Sequence, residues 1–320
     1  MSTSDIAARI AILDYPGVQA AAVAGLGDVF LVANRQCAHH DSNRLAVRAV
    51  AARNLPGAAH ASLQIMIVPP NLSGARGQDA TRVHRWLRDQ HAAGTIIASA
   101  CAGAFWLGHS GLLEGRAATT HWALEDEFRA AFPQTMLHPE HLLVDENDTV
   151  TAGGLMAWAD LGLYVVNRWL GPQIMSDTAR QLLVDPAGRE QRNDRSFRPV
   201  LTRGDAPILR VQHWLEQQVH ETLNVAEAAH LSGRTFPRRF KAATGLAPSD
   251  YLQHVRIEKA RGLLERTRLP VDEVAWRTGY QDVSAFSRMF RATTGLTAGN
   301  YLRRFHVGGP HAPAPRPQHI

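Results

Sequence analysis

The chain has 320 residues, 45% of them hydrophobic and 20% charged, with a formal net charge of +5. That composition excludes a low-complexity, collagen-like or disordered chain and leaves room for about two globular domains. No apolar run reaches the ~18 residues of a membrane-spanning helix, and MSTSDIAARIAILDYPG lacks the basic-then-apolar order of a signal peptide; with only Cys37 and Cys101, a cytoplasmic chain without disulfides is expected.

In chain order, Arg9–Asp14 (RIAILD) reads as a buried strand and Tyr15-Pro16-Gly17 as a turn. Residues 18–32 have helical spacing, and 44–51 and 63–68 read as strands. A polar helix at 81–92 precedes a strand at 95–99 that ends at Cys101. Helical patterns resume at 105–113 and 122–132, followed by a short strand at 150–152 and a helix at 157–170. Strands alternating with helices of ten or more residues predict an α/β domain with a mostly parallel sheet, flavodoxin-like in its layers.

The strand into Cys101, small neighbours Ala100, Ala102 and Gly103, and a helix beyond describe a nucleophile-elbow layout. A helix N-terminus favours a thiolate, and a cysteine nucleophile needs a base and an orienting group. His121 and Asp160 qualify by residue type. The alternative is equally plain: an unpaired cysteine is among the most buried residue types.

Residues 185–207 are polar, Arg-rich and punctuated by proline and glycine, the composition of a linker. Beyond Ile208 strand signals give way to helical spacing, and the Pro-rich tail 306–320 is expected to be disordered. Charge is uneven: residues 1–179 hold 12 basic and 16 acidic side chains, whereas 207–306 hold 15 and 9. A basic C-terminal third suggests an anionic partner, nucleic acid before membrane.

That third contains a repeat. RRFKAATGLAPSDYL (238–252) aligns with RMFRATTGLTAGNYL (288–302) at an offset of 50, with eight of fifteen positions identical. In the second copy VDEVAWRTG reads as a short helix ended by Gly279, Asp282 as an N-cap, and VSAFSRMFRATTG as a helix ended by Gly295. Helix, turn, helix is a DNA-binding pattern. Phe286 and Phe290, four apart, share the buried face, which leaves Val283, Ser284, Ser287, Arg288 and Arg291 toward the open one. Arginines and short polar side chains there suit a major groove, although they equally solvate a surface helix.

The block Gly279-Tyr280-Gln281-Asp282, Phe286-Ser287-Arg288-Met289-Phe290 and Thr294-Gly295 through Tyr301 resembles the AraC/XylS family over residues 208–305. The resemblance implies two helix-turn-helix units joined by a helix at 248–266, with both reading helices set into double-stranded DNA. Carried over by position, the first reading helix offers Arg234, Thr235, Arg238 and Lys241, and the second Ser284, Ser287, Arg288 and Arg291. Val225 to Phe236 spans eleven residues where Val271 to Phe286 spans fifteen, so the first unit is the shorter. Pro237 stands in its reading helix, where it costs about 3 kcal/mol beyond the first turn or forces a later start.

Residues 9–185 resemble the PfpI-type, class I glutamine-amidotransferase-like domain fused to such regulators. ILDYPG, ASACAGAF, SGLLEG, ATTHW and TAGGLMAWADLGL carry the likeness. Cys101 then matches the elbow cysteine and His121 the histidine of the Thr-His-Trp motif. Three pieces depart from the enzymes: Ala22 stands where an acid is expected, Ala102 follows the cysteine in place of a threonine, and Pro69-Pro70-Asn71 replaces a Gly-Gly that supplies oxyanion-hole amides. The resulting expectation is a transcription regulator whose N-terminal domain (1–185) senses a small-molecule effector and dimerises, and is not an enzyme. Cys101, Ala102, His121 and Trp122 line its ligand pocket, with Cys101 and His121 as vestigial catalytic candidates and neither metal nor cofactor required. Expected partners are double-stranded DNA, a second copy of the chain, an unidentified effector and RNA polymerase, with no membrane. The alternative is a cysteine-dependent hydrolase or hydratase with an appended DNA-binding module.

Overall fold

The structure, a computed structural model, describes residues 6–40, 42–55, 63–72, 80–185, 191, 197, 205–217 and 235–306. The chain divides into two compact units, 1–192 and 193–320.

The first unit runs β1 (Ile6–Asp14), α1 (Ala20–His39), β2 (Arg44–Ala51), β3 (Ile65–Val68), α2 (Ala80–Ala92), β4 (Ile96–Ala100), α3 (Ala104–His109), β5 (Ala117–Ala118), α4 (Glu125–Ala131), β6 (Met136–Leu137), β7 (Leu143–Asp145), β8 (Thr149–Ala152) and α5 (Trp158–Leu182). Short 3-10 turns at Cys101–Gly103 and Trp122–Leu124 lead into α3 and α4. Six strands form one sheet in the order β2-β1-β3-β4-β8-β7, parallel except for the β7–β8 pair, and β5 pairs with β6 separately.

The near-continuous apolar strands are explained by burial on both faces, as parallel sheets require. Ile10, Ile12, Ile65, Ile67, Ala98 and Ala100 face the core shared with α1 and α5. Their alternates Ala11, Leu13, Met66, Val68 and Ile97 face α2 and α3. The α/β reading therefore holds, and the differences are local. Helix α3 stops at His109 rather than 113, because Gly111 turns left-handed at φ 74°. Helix α5 breaks at Gly171 (φ 84°, ψ 170°) where the expected helix ended, but Pro172 opens a second segment that continues to Leu182.

The second unit runs α6 (Ala206–Gln217), α7 (Thr235–Thr244), α8 (Pro248–Arg266), α9 (Val271–Arg277), α10 (Val283–Thr294) and α11 (Ala298–Phe305). The repeat in sequence is a repeat in geometry. Phe236 and Phe240 rings lie 5.4 Å apart and Phe286 and Phe290 rings 5.5 Å. Phe240 meets Tyr251 edge-on at 5.2 Å, and Phe290 meets Tyr301 at 5.3 Å. Thr244 and Thr294 each donate back to the Phe carbonyl four residues earlier at 2.8 Å. The left-handed Gly245 and Gly295 that end the two helices have φ 80° and 77°. Each copy thus has its own aromatic core, and α8 serves both: Tyr251 and Val255 belong to the first, Ile257, Ala260 and Leu264 to the second.

Of the stretch read as a linker, Asp185, Gln191, Phe197 and residues 205–207 are described; Asp185 is exposed, and the others include anchored side chains. Gln191 is 4% exposed, Phe197 stacks on Tyr251 at 5.1 Å, and α6 starts at Ala206, with Asp205 paired to Arg239 at 3.0 Å. The helix expected before the first reading helix, and the tail beyond 306, lie outside the described residues.

Candidate ligand cleft and DNA-reading faces

Strand β4 delivers Cys101 to the C-terminal edge of the sheet, where α/β folds place their sites. Its backbone is left-handed at φ 54°, a conformation costly for a residue with a Cβ and typical of an elbow. Gly103 makes the turn possible by close approach: a Cβ there would stand 2.4 Å from the Val68 carbonyl oxygen and 2.8 Å from that of Pro69. The expected thiolate does not follow. Burial pushes the Cys101 thiol up to about 11, against the smaller opposing effect of the Ala102 backbone N–H. Desolvation outweighs the helix terminus, and α3 is only six residues long and begins at Ala104.

His121 caps a turn. Its Nδ1 accepts the Ala123 backbone N–H at 3.0 Å, so the neutral ring carries its proton on Nε2. The ring lies over Trp122 with centroids 5.2 Å apart. Among the described residues no hydrogen bond joins His121 to Cys101. The link between the two segments is instead Thr120, whose hydroxyl donates to the Cys101 carbonyl at 2.9 Å. Asp160 lies in the first turn of α5.

The three departures read from sequence are visible as contacts. Ala22 is fully buried, with methyl in place of carboxylate. Ala102 is buried beside the thiol and carries no hydroxyl. After β3, Pro69 and Pro70 present carbonyls: Tyr15 donates to Pro69 at 2.6 Å and the Gln19 N–H to Pro70 at 2.8 Å. The segment is zipped against Gly17–Gln19 by a bridge between Val18 and Asn71, and proline offers no N–H to an oxyanion.

Sequence reasoning missed Gln191. Its buried amide bonds Thr119, Thr120, Trp122 and His141, beside the cleft's expected lining. His138, Glu140 and His141 bring three potential metal-ligand atoms within 4.8 Å of one another at the surface; no metal was expected, and nothing else in the structure assigns one there.

In the second unit, the Asp282 carboxylate accepts the Ser284 and Ala285 N–H groups at 2.8 and 3.1 Å, the expected cap. These bonds, with Arg288 nearby, hold its carboxyl below the usual range. Ser284, Ser287, Arg288 and Arg291 are all exposed on α10, opposite the fully buried Phe286 and Phe290. Val283 differs from expectation: it is half-buried and packs against the second core. On α7, Arg238 and Lys241 are exposed opposite Phe236 and Phe240. Helix α7 is described from Thr235 onward and includes Pro237, and the residues that precede Thr235 lie outside the described ones. Arg234 and the Thr235 side chain lie outside the described residues.

Comparison with known proteins agrees with this architecture. The DJ-1/PfpI family profile matches residues 33–168, and a helix-turn-helix domain profile matches 225–304. The chain is similar to the HTH-type transcriptional regulator CdhR of Pseudomonas aeruginosa, 31% identical over 210 residues that cover 63% of this chain and 61% of that one. Its C-terminal part is similar to the HTH-type transcriptional activator RhaS of Salmonella schwarzengrund, 41% identical over 89 residues, 27% of this chain and 32% of the relative. A crystal structure of an AraC family transcriptional regulator from Pseudomonas putida aligns at TM-score 0.48 with 19% identity, covering 55% of this chain and 99% of that one. The chain spans about three fifths of the length of the curated relatives it matches first. Residues 33–168 are thus similar to the DJ-1/PfpI family and residues 225–304 to helix-turn-helix domains, the first matching the elbow-bearing α/β unit and the second the helical one.

Proposed function

We propose that the chain is a sequence-specific transcription regulator. Its second unit reads double-stranded DNA with α7 and α10, and its first unit binds a small-molecule effector without turning it over. The observation that carries this reading is the duplicated helix: two copies with matching ring spacings each present a basic, polar face away from the core. Arg288 and Arg291 suit guanine edges, and Ser284 and Ser287 are small enough to admit the helix to the groove. Arg234, Thr235, Arg238 and Lys241 take the same part in the first of the two helix-turn-helix copies. Dimerisation through the first unit, contact with RNA polymerase and a cytoplasmic location belong to the same reading.

The first unit reads as a sensor because its elbow keeps the shape and lacks the chemistry. The thiol is held protonated, His121 is spent on a cap, and Ala22 supplies no acid. Genome-wide binding of the intact protein, followed by gel shifts on the recovered site, tests the DNA reading; absence of any enriched, saturable site refutes it. A Cys101→Ala variant separates sensor from hydrolase or hydratase. Regulation is expected to survive the change, and its loss together with turnover of a defined substrate would establish the enzyme instead.

A further inference from the structure

Gln191 lies two residues before the second unit begins, yet its side chain is buried in the first, 4% exposed. Its Nε2 donates toward the Thr120 carbonyl at 2.8 Å, the His141 carbonyl at 3.0 Å and Thr119 Oγ1 at 3.1 Å. Its Oε1 accepts the Trp122 backbone N–H at 3.1 Å. Thr119 Oγ1 gives its own proton to the His141 carbonyl at 2.9 Å, so it turns a lone pair toward the amide. The partners come from 50 to 72 residues away in sequence. Gly153 opens the space: a Cβ there would stand 1.8 Å from Nε2 and 2.8 Å from the Thr120 oxygen.

The set is chemically one-sided. Three oxygen acceptors surround one end of the planar group and a single N–H donor meets the other. Among protein side chains only the primary carboxamides of Asn and Gln offer N–H donors and a carbonyl oxygen in that order. A carboxylate would place a charged oxygen against three oxygens with no proton between them, and a dialkylated amide has no N–H to give. The location ties the set to the elbow. Thr120, which accepts from Gln191, also holds the Cys101 carbonyl, and Trp122 follows the capping His121.

We propose that this is a carboxamide-binding site, that Gln191 is its tethered occupant, and that a free ligand bearing a primary carboxamide competes with Gln191 for it. The inference rests on reading the first unit as a sensor and names what it senses. Ligand and Gln191 cannot occupy the site together, so binding detaches the start of the connector to the DNA-reading unit. Tethered side chains act at effective concentrations on the order of millimolar, so the effector works in that range or adds contacts in the cleft.

The test uses the full chain, the variant Gln191→Ala, and propionamide as probe, with hydrogen exchange at the Trp122 amide as readout. That amide should exchange at least tenfold faster in the variant. Propionamide should restore its protection, whereas propionate and N,N-dimethylpropionamide should not. In the unaltered chain, where Gln191 already protects this amide, propionamide binding is read by calorimetry instead and should need at least tenfold more to half-saturate. Gln191→Glu provides a second route should the alanine variant not fold, since it keeps shape and replaces the donor nitrogen by oxygen; it should release Trp122 and be complemented by propionamide in the same way. Unchanged exchange in both variants, or equal protection by propionate, overturns the site. Gel shifts on the same samples keep the two readings apart: protection at Trp122 with DNA affinity indifferent to propionamide upholds the site and refutes the sensing role.

Discussion

Alkylation of Cys101 in a Cys37→Ala background reads the elbow's environment through a single remaining thiol. Iodoacetamide attacks the thiolate, so its rate follows the ionised fraction. Burial raises the Cys101 thiol from 9.0 to about 11, two units, which leaves about 100-fold less thiolate than an unburied thiol at any pH below 9. At pH 8 that is about one thiol in a thousand. The alkylation rate, followed by mass spectrometry, should climb about tenfold per pH unit from 7 to 10 without levelling. The same shift destabilises the fold in alkali. Between pH 9 and 11 the unfolded chain has released this proton and the folded chain retains it, so stability falls across that window by about 3 kcal/mol from this group. A plateau in rate between pH 5 and 8 would refute the reasoning: it would mean a stabilised thiolate, as in an activated nucleophile.

Further outcomes are expected from the rest of the chain. Arg288→Ala should abolish sequence-specific binding in gel-shift titrations, with a loss of about 1–3 kcal/mol for a bidentate base contact, whereas Arg238→Ala should only weaken it; equal and small effects would count against the assignment. Phe240→Ala and Phe290→Ala remove matched rings that are fully buried, so each should lower stability in denaturant titration by about 3–5 kcal/mol, and a large inequality would argue that the two cores are not equivalent. The His84 ring is pushed down to about 4 by burial, then by His109 and Arg88, so NMR should show it neutral at pH 5.5. Its contribution to stability is complete above the unfolded value near 6.5 and is lost as pH falls toward 4; a ring that titrates near 6.5 excludes the buried placement.

What could be read from the sequence was mostly local. Asp282 and Gly295 mark the ends of α10 because capping needs only a side chain and its own backbone a few residues away. The buried strands were legible because four successive apolar residues such as Ile65–Val68 admit few other fates in a chain this polar. The two-residue strands β5 and β6 were missed, since Ala117-Ala118 and Met136-Leu137 have no period to detect and exist only because they find each other. The same applies to the cleft. Sequence singled out Cys101 and His121 but could not show that the histidine faces its own backbone. Gln191, a polar residue in an arginine-rich stretch, carries no local signal at all; its four partners are brought to it by the sheet.

Helix α8 is shared by two cores, and this makes it a ruler. Its 19 residues give it a length of about 28 Å. Tyr251 and Val255 register one reading helix against it, and Ile257, Ala260 and Leu264 register the other. The angle between the two basic faces is therefore set by the phase of one helix. Adding or removing a single residue between Val255 and Ile257 turns one face about 100° relative to the other. The relative placement of the two basic faces is thus written in a segment that carries neither of them.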